Sequence, residues 1–251
     1  MRNLCLKRES ESIFEIGNSH DCDRILYAAG HAGTGVQWSM ELCCALPQNW
    51  AMRVVHLPGR ERRLKEPAVD ELAKFAISVA EEINQSHPRN GSAAAFWGQS
   101  MGGIIAFEIC RHLESIEDRI IDVLGILGAP APITTPWLED PHCTDEELIA
   151  AILQTGATSP AIFHDEGLKR MLLNVLRKDM LLYHKYNWSR NATIDASIIA
   201  IRGRDDPLTA LENVRAWELC STNERFAFLD IAGGHLPLVA AFNHFIAMIK
   251  N

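Results

Sequence analysis

Apolar residues follow two patterns that alternate along most of the chain. Short runs in which nearly every position is apolar predict buried β-strands. These runs cover residues 24–29, 51–57, 93–96, 120–127, 197–201 and 226–231. Between them lie segments such as residues 70–84, where apolar side chains recur every three to four positions and predict an amphipathic helix. Buried strands that alternate with helices predict an α/β fold with a mostly parallel sheet, here as one domain over residues 1–251.

Two regions depart from this alternation. Residues 1–22 are polar and irregular, with one short strand expected near residues 12–16, and are interpreted as an N-terminal arm or an added edge strand. Later the alternation stops for about sixty residues, and two apolar helices are expected there, the first opened by a capping box between Thr144 and Glu147. We interpret residues 133–190 as a helical lid inserted between two strands, with ordinary core helices as the alternative.

Composition and charge exclude several classes of protein. The formal net charge of −8 at pH 7 argues against general nucleic-acid binding. No apolar run is long enough to cross a bilayer, and the N-terminal residues carry charge where a signal peptide is apolar. The seven cysteines show neither C-x-x-C nor zinc-ligand spacing, so we expect no metal, reduced thiols and a cytoplasmic location. The glycine-rich residues 30–35 match no nucleotide-binding pattern, and no organic cofactor is expected.

The segment Gly98-Gln99-Ser100-Met101-Gly102 joins a predicted strand to a predicted helix and matches the pattern G-x-S-x-G. This turn lifts its serine out of the sheet, and glycine at both ends avoids collisions of a Cβ with neighbouring backbone. The serine also lies at a helix N-terminus, which favours a developing negative charge. We therefore predict that Ser100 is a nucleophile, although so short a pattern also arises by chance in loops.

An acid and a base follow later predicted strands. Asp205 and Asp206 come after one of these strands, and His235 comes after the last one. Because the carboxyl ends of parallel strands meet at one edge of a sheet, we expect them near Ser100. The order Ser…Asp…His is that of the α/β-hydrolase fold, in which an imidazole takes the serine proton and a carboxylate orients the imidazole. We prefer Asp206 to Asp205, because Pro207 restricts the backbone beyond it.

The negative charge that forms on a substrate oxygen requires two hydrogen-bond donors fixed in place. The main-chain N–H of Met101, directly after the serine, is predicted to be one. The glycine-rich loop after the first core strand is predicted to supply the other, at Ala32. His31 lies beside this loop and is interpreted as a histidine that orders the turn.

Four segments resemble motifs of the stand-alone type II thioesterases of nonribosomal-peptide and polyketide synthesis. They are GHAGT at 30–34, LPGRERR at 57–63, GQSMG at 98–102 and GGHLP at 233–237. The second is the most specific, because the general chemistry of serine hydrolases does not require it. The sequence departs from the family at Gly30, Gln99 and residues 236–237, where the family has proline, histidine and an aromatic pair; none of these removes an atom of the triad.

The resemblance implies an α/β-hydrolase that cleaves acyl-phosphopantetheine thioesters on acyl or peptidyl carrier proteins. It would thereby remove misprimed or stalled acyl groups. A monomer is expected, although the sequence carries no signal of the oligomeric state. Arg60, Arg62 and Arg63 are then predicted to guide the phosphate or the acidic carrier, although such a charged run is commonly a solvated surface. Two alternatives remain open: an esterase or lipase that acts on free small-molecule esters, and a binding protein of the same fold without catalytic activity.

Overall fold

A single mixed β-sheet organises the molecule. The computed structural model describes residues 6–17, 22–88, 93–116, 121–134, 142–156, 158–186, 192–222 and 225–250. Eight strands lie within these residues: β1 (Leu6–Arg8), β2 (Ile13–Ile16), β3 (Arg24–Ala29), β4 (Trp50–Val55), β5 (Ala93–Gln99), β6 (Ile121–Leu127), β7 (Ser197–Gly203) and β8 (Phe226–Ile231). Their order across the sheet is β1-β2-β4-β3-β5-β6-β7-β8.

Helices connect the strands. The same residues contain α1 (Ser39–Ala45), α2 (Leu72–Ser86), α3 (Met101–Ile116), α4 (Asp145–Thr155), α5 (Glu166–His184), α6 (Leu211–Arg215) and α7 (Leu238–Ile249). Three 3₁₀ turns occur at Glu61–Arg63, Pro160–His164 and Ala216–Cys220. None of the described helices is long and apolar enough to span a membrane.

The sheet has the topology of the α/β-hydrolase fold, which confirms the predicted fold class. Strands β3 to β8 pair in parallel, whereas β1 and β2 are antiparallel additions beside β4. The chain goes from β3 outward to β4 and then returns to β5 on the other side of β3. A crevice forms at such a reversal, at the carboxyl ends of the strands, and open α/β sheets place their sites there.

Apolar side chains cover both faces of the sheet. One face packs against α2 and α3, and the other packs against α1 and α7. On the second face the ring of Trp97 lies 5.4 Å from that of Phe242 and 5.1 Å from that of Phe245. Because both faces are buried, the central strands are apolar at nearly every position, as the sequence pattern indicated.

The N-terminal segment adds two strands to the sheet, where the sequence predicted one. Ile13 and Ile16 of β2 are fully buried, and Glu15 between them accepts a hydrogen bond of 3.1 Å from Arg53 of β4. The buried carboxylate therefore has a counter-charge, which explains how a polar-looking segment joins the core. Residues 1–5 and 18–21 of this region lie outside the described residues.

Two helices, α4 and α5, lie between β6 and β7 in the sequence range predicted as a lid. Thr144 caps α4 in a capping box: its hydroxyl accepts from Glu147 N–H at 3.2 Å, and the Glu147 carboxylate accepts from Thr144 N–H at 2.8 Å. The two helices pack on each other through a small apolar cluster of their own, apart from the two main core clusters. Residues 135–141, 157 and 187–190 of the predicted lid lie outside the described residues.

Candidate active site

Ser100 occupies the sharp turn between β5 and α3. Its backbone φ is +51°, in the left-handed region that residues other than glycine rarely adopt. The turn is held by its own main chain: Ser100 N–H donates to Leu127 C=O at 2.8 Å, and Gly103 N–H donates to Ser100 C=O at 2.8 Å. The strained conformation is therefore supported on both sides, and it projects the hydroxyl away from the sheet.

The glycines of this turn are required by close backbone contacts. A Cβ atom on Gly98 would lie 2.5 Å from the Cα of Gly103. A Cβ atom on Gly102 would lie 2.3 Å from the carbonyl oxygen of Ala29 in β3. Both contacts involve backbone that cannot rotate away, so the sequence pattern G-x-S-x-G reflects the packing of the turn against the sheet.

The three side chains of the predicted triad meet at the carboxyl edge of the sheet. His235 Nε2 lies 3.2 Å from Ser100 Oγ, and His235 Nδ1 lies 2.9 Å from Asp206 Oδ2. The other carboxylate oxygen of Asp206 accepts from the N–H groups of Leu208 at 2.8 Å and Thr209 at 3.2 Å. These bonds fix the carboxylate, and the carboxylate in turn orients the imidazole toward the serine.

The structure also distinguishes the two adjacent aspartates. Asp206 is 6% exposed and contacts His235, whereas Asp205 is exposed at the surface. Burial acts to raise the pKa of Asp206, but the hydrogen bond with His235, the charge of its ring and the N–H of Leu208 outweigh this and leave the pKa below its ordinary value. Asp206 is therefore ionised where an imidazolium needs a counter-charge.

A cavity of about 350 Å³ opens at Ser100 and His235. Residues from the two inserted helices form much of its wall; they are Leu148, Ile152, Leu172, Leu176 and Met180. Leu236 and Leu238, which follow the histidine, complete the apolar lining. The reacting serine thus faces a space that suits a short hydrocarbon chain.

The two residues predicted to supply main-chain donors for the oxyanion are Met101, directly after Ser100, and Ala32 in the loop after β3. Met101 is the first residue of α3, and its N–H is among those that have no acceptor within their own helix. Ala32 lines the cavity together with Ser100. His31 Nδ1 lies 3.0 Å from Ala32 C=O, and burial, reinforced by the nearby His235, lowers the pKa of His31.

Two departures from the thioesterase motifs now have a structural setting. A Cβ atom on Gly30 would lie 2.5 Å from Trp38 Nε1, so the indole of this cavity residue occupies the space that a proline ring needs. Gln99 is fully buried, and neither of its amide atoms makes a hydrogen bond to the described residues. The structure gives no account of the glutamine.

The loop that contains Ala32 is held by two carboxylates that the sequence analysis did not assign. Asp179 of α5 accepts from Gly33 N–H at 2.7 Å and forms a two-bond ion pair with Arg60, at 2.7 and 2.6 Å. Glu61 accepts from Val36 N–H at 2.9 Å. The run Arg-Glu within LPGRERR was the available signal, but its partners are distant in sequence.

Arg60 and Arg63 do not have the exposed position that the carrier-binding prediction required. Arg60 is 6% exposed and is paired with Asp179. Arg63 is 3% exposed, donates to His56 C=O at 2.5 Å and forms an ion pair with Glu66 at 2.5 Å. Their charges are engaged inside the molecule, so that prediction is corrected for both. Arg62 is exposed.

The fold and the site define a serine hydrolase. More narrowly, the model of the thioesterase domain family matches residues 24–251, and the chain belongs to that family. Among the described residues, no three histidine, cysteine, aspartate or glutamate side chains are grouped as a metal site.

Individual relatives are similar over most of their length. Linear gramicidin dehydrogenase LgrE from Brevibacillus parabrevis is 28% identical over 236 residues, covering 90% of this chain and 84% of that protein. Thioesterase PikA5 from Streptomyces venezuelae is 28% identical over 211 residues, covering 83% of this chain and 73% of that protein. The type II thioesterase BorB from the borrelidin biosynthetic cluster superposes with a TM-score of 0.84 at 26% identity, covering 97% of this chain and 98% of that chain. The resemblance to type II thioesterases is thereby confirmed.

Proposed function

We propose that this protein hydrolyses acyl-phosphopantetheine thioesters on the carrier proteins of a nonribosomal-peptide or polyketide assembly line, and so removes misprimed or stalled acyl groups. The observation that carries the proposal is the chain of contacts from Asp206 through His235 to Ser100, which ends in an apolar cavity. Membership of the thioesterase family supports the choice of a thioester as the bond that is cleaved.

In the first step, Ser100 Oγ attacks the carbonyl carbon of the thioester while His235 Nε2 accepts the hydroxyl proton. The ionised Asp206 stabilises the imidazolium that results. The carbonyl oxygen becomes an oxyanion and accepts hydrogen bonds from the N–H groups of Met101 and Ala32. The distance of 3.2 Å between Ser100 Oγ and His235 Nε2 lies at the upper end of the range for this proton transfer.

In the second step, the carbon–sulfur bond breaks and His235 donates its proton to the departing sulfur. The carrier leaves with a free phosphopantetheine thiol, and the acyl group remains as an ester on Ser100. Water then attacks this ester while His235 accepts a proton from it. Return of that proton to Ser100 Oγ releases the carboxylic acid, so one thioester and one water become one acid and one thiol.

The cavity supports a small acyl substrate. Its volume of about 350 Å³ lies near the lower end of the range for small-molecule sites. Apolar side chains from α4 and α5 form much of its wall and would shield a bound acyl chain from water. We infer that a short acyl group fits under these helices and that long or highly charged groups are disfavoured.

Because Arg60 and Arg63 are buried, we assign contact with the acidic carrier to Arg62, the exposed member of the three arginines, and to the exposed Lys65 nearby. Reversal of both charges, in Arg62→Glu with Lys65→Glu, is expected to lower kcat/KM for carrier-bound substrate at low salt and to spare acyl-pantetheine. The control is Lys250→Glu, an exposed lysine after α7. Unchanged turnover of carrier-bound substrate would remove this surface from the proposal. The monomeric state and the cytoplasmic location stay predictions.

The deciding experiment compares a panel of acyl-loaded carrier proteins with free p-nitrophenyl esters. We expect higher kcat/KM on the carriers and loss of all turnover in Ser100→Ala. A strong preference for the free esters would favour the esterase alternative. A correctly folded wild-type protein that hydrolyses neither would favour a binding protein without catalytic activity.

A further inference from the structure

The glycine loop, defined as residues 30–36, is anchored at three main-chain atoms in the residues that follow the proposed oxyanion donor, Ala32. Gly33 N–H donates to Asp179 at 2.7 Å. Thr34 C=O accepts from Arg60 at 3.3 Å, and Val36 N–H donates to Glu61 at 2.9 Å. Every one of these partners comes from outside the loop, so the surrounding structure supports the loop in addition to its internal bond from Thr34 N–H to His31 C=O.

The ion pair between Arg60 and Asp179 is almost completely buried, with exposures of 6% and 2%. A buried pair is weak support for a role in stability, since apolar residues of similar volume commonly serve as well. What apolar residues cannot supply is a directed hydrogen bond to a main-chain atom. The carboxylate of Asp179 makes that bond to Gly33 while its charge is balanced by Arg60.

The contact between Val36 and Glu61 also brings a carboxylate close to the main chain of the loop. A Cβ atom on Gly35 would lie 1.9 Å from the carboxyl carbon of Glu61. Glu61 itself has a φ of +41°, a strained value for a residue other than glycine. Such strain is maintained only where surrounding contacts enforce it. The hydrogen bond from Val36 N–H to the Glu61 carboxylate is one such contact.

The helix that carries Asp179 also forms the wall of the acyl cavity. Leu172, Leu176 and Met180 of α5 line that cavity. Leu176 packs directly on the glycine loop, since a Cβ atom on Gly33 would lie 2.7 Å from its side chain. The cavity wall and the loop are therefore linked through an apolar contact of Leu176 and through the hydrogen bond from Gly33 N–H to Asp179.

We propose that Arg60 and Asp179 are positioning residues that fix the Ala32 N–H relative to Ser100 and couple the acyl cavity wall to the oxyanion site. The inference rests on the proposed function, because it takes Ala32 as an oxyanion donor. A displaced donor weakens the transition state more than the bound substrate, so loss of the pair lowers kcat and leaves KM largely unchanged.

The test uses Asp179→Asn, which keeps the side-chain shape but removes the charge, and Arg60→Lys, which keeps the charge but removes the two-bond geometry. The matched control is Asp145→Asn, because Asp145 of α4 also pairs with an arginine, Arg177, at 2.6 Å. Each variant is assayed on acyl-pantetheine thioester, without a carrier, well below its own melting temperature. The second readout is the affinity for a trifluoromethyl ketone, which binds as a serine adduct with an oxyanion.

We expect kcat to fall about tenfold in both variants of the pair, less than the 10²–10³ lost when a donor is removed outright. KM stays near the wild-type value, the affinity for the ketone falls by a similar factor, and the control resembles wild type. Wild-type kcat in Asp179→Asn, or equal losses in the control, would overturn the positioning role alone. A wild-type protein without Ser100-dependent thioester hydrolysis would instead overturn the proposed function.

Discussion

The turn at residues 98–102 and the charged segment at residues 60–63 are both short motifs, but they acquire their structure in different ways. The turn is marked by its own glycines, which allow close packing on Gly103 within the turn and on Ala29 of the adjacent strand. The charged segment is determined by distant residues, since Arg60 and its partner Asp179 are separated by 119 positions. The structure of the first motif can therefore be recognised from its own residues, whereas the structure of the second cannot.

This difference explains why the strand, turn and helix around Ser100 were predicted from the sequence, whereas the buried positions of Arg60 and Arg63 were not. Charges that follow one another in a loop are expected to face solvent, because a buried charge is costly without a partner. Here the fold brings the partners from elsewhere in the chain. The motif that was most specific to the thioesterase family makes several of its contacts inside the molecule, among them those with residues 33–36 and with Asp179.

After the loss of turnover in Ser100→Ala, the largest effect is expected from the orienting carboxylate, Asp206. Asp206→Asn should lower kcat by about 10⁴-fold, because an amide stabilises the wrong tautomer of His235 and cannot balance an imidazolium. Asp205→Asn, at the exposed neighbouring position, should leave thioester hydrolysis near wild type. Steady-state kinetics on both variants checks this; equal losses would show that the observed contact of 2.9 Å does not identify the working carboxylate.

The two arginines of the charged segment should differ in their effect on stability. Arg60→Ala leaves Asp179 buried without its counter-charge and should lower the free energy of unfolding by about 3–5 kcal/mol. Arg62→Ala removes an exposed charge and should change it by no more than about 0.5 kcal/mol. Urea denaturation measures both values. A similar small change in the two variants would show that Arg60, like Arg62, behaves as an exposed charge.

The close packing of the turn against the sheet is tested by glycine substitutions. Gly102→Ala places a Cβ atom 2.3 Å from a main-chain oxygen and should destabilise the protein by about 3 kcal/mol while reducing activity. In Gly167→Ala the nearest atom is a side-chain oxygen at 3.1 Å, within helix α5. That control should alter stability by no more than about 1 kcal/mol. Thermal melting and kcat, measured on the same samples, distinguish the two.

The last effect concerns the dependence of stability on pH. Burial, together with the charges of Arg63 and Arg60, lowers the pKa of His56 to about 4. Between pH 6.5 and 4 the unfolded chain therefore binds a proton that the folded protein does not, and stability falls as the pH falls through this range. The loss is at most about 3 kcal/mol. His56→Gln should flatten the dependence of the unfolding free energy on pH, and the exposed His164→Gln should not; an unaltered slope in His56→Gln would contradict the assignment.

The sequence by itself determined the features that follow local rules. Runs of apolar residues placed the central strands, because a strand buried on both faces cannot contain many polar side chains. The turn around Ser100 was recognisable because glycine is needed on each side of it, and the positions of aspartate and histidine after later strands followed from the shared edge of a parallel sheet. Ser100, Asp206 and His235, which meet at this edge, could therefore be proposed from the sequence.

Only the tertiary structure decided which charges are inside and what they hold. It chose Asp206 over Asp205 through a contact with His235, and it buried Glu15 of the N-terminal segment against Arg53. It also turned Arg60 from a surface charge into a partner of Asp179. Periodicity and turn chemistry act over a few residues, whereas the burial of a charge depends on a counter-charge that can come from anywhere in the chain.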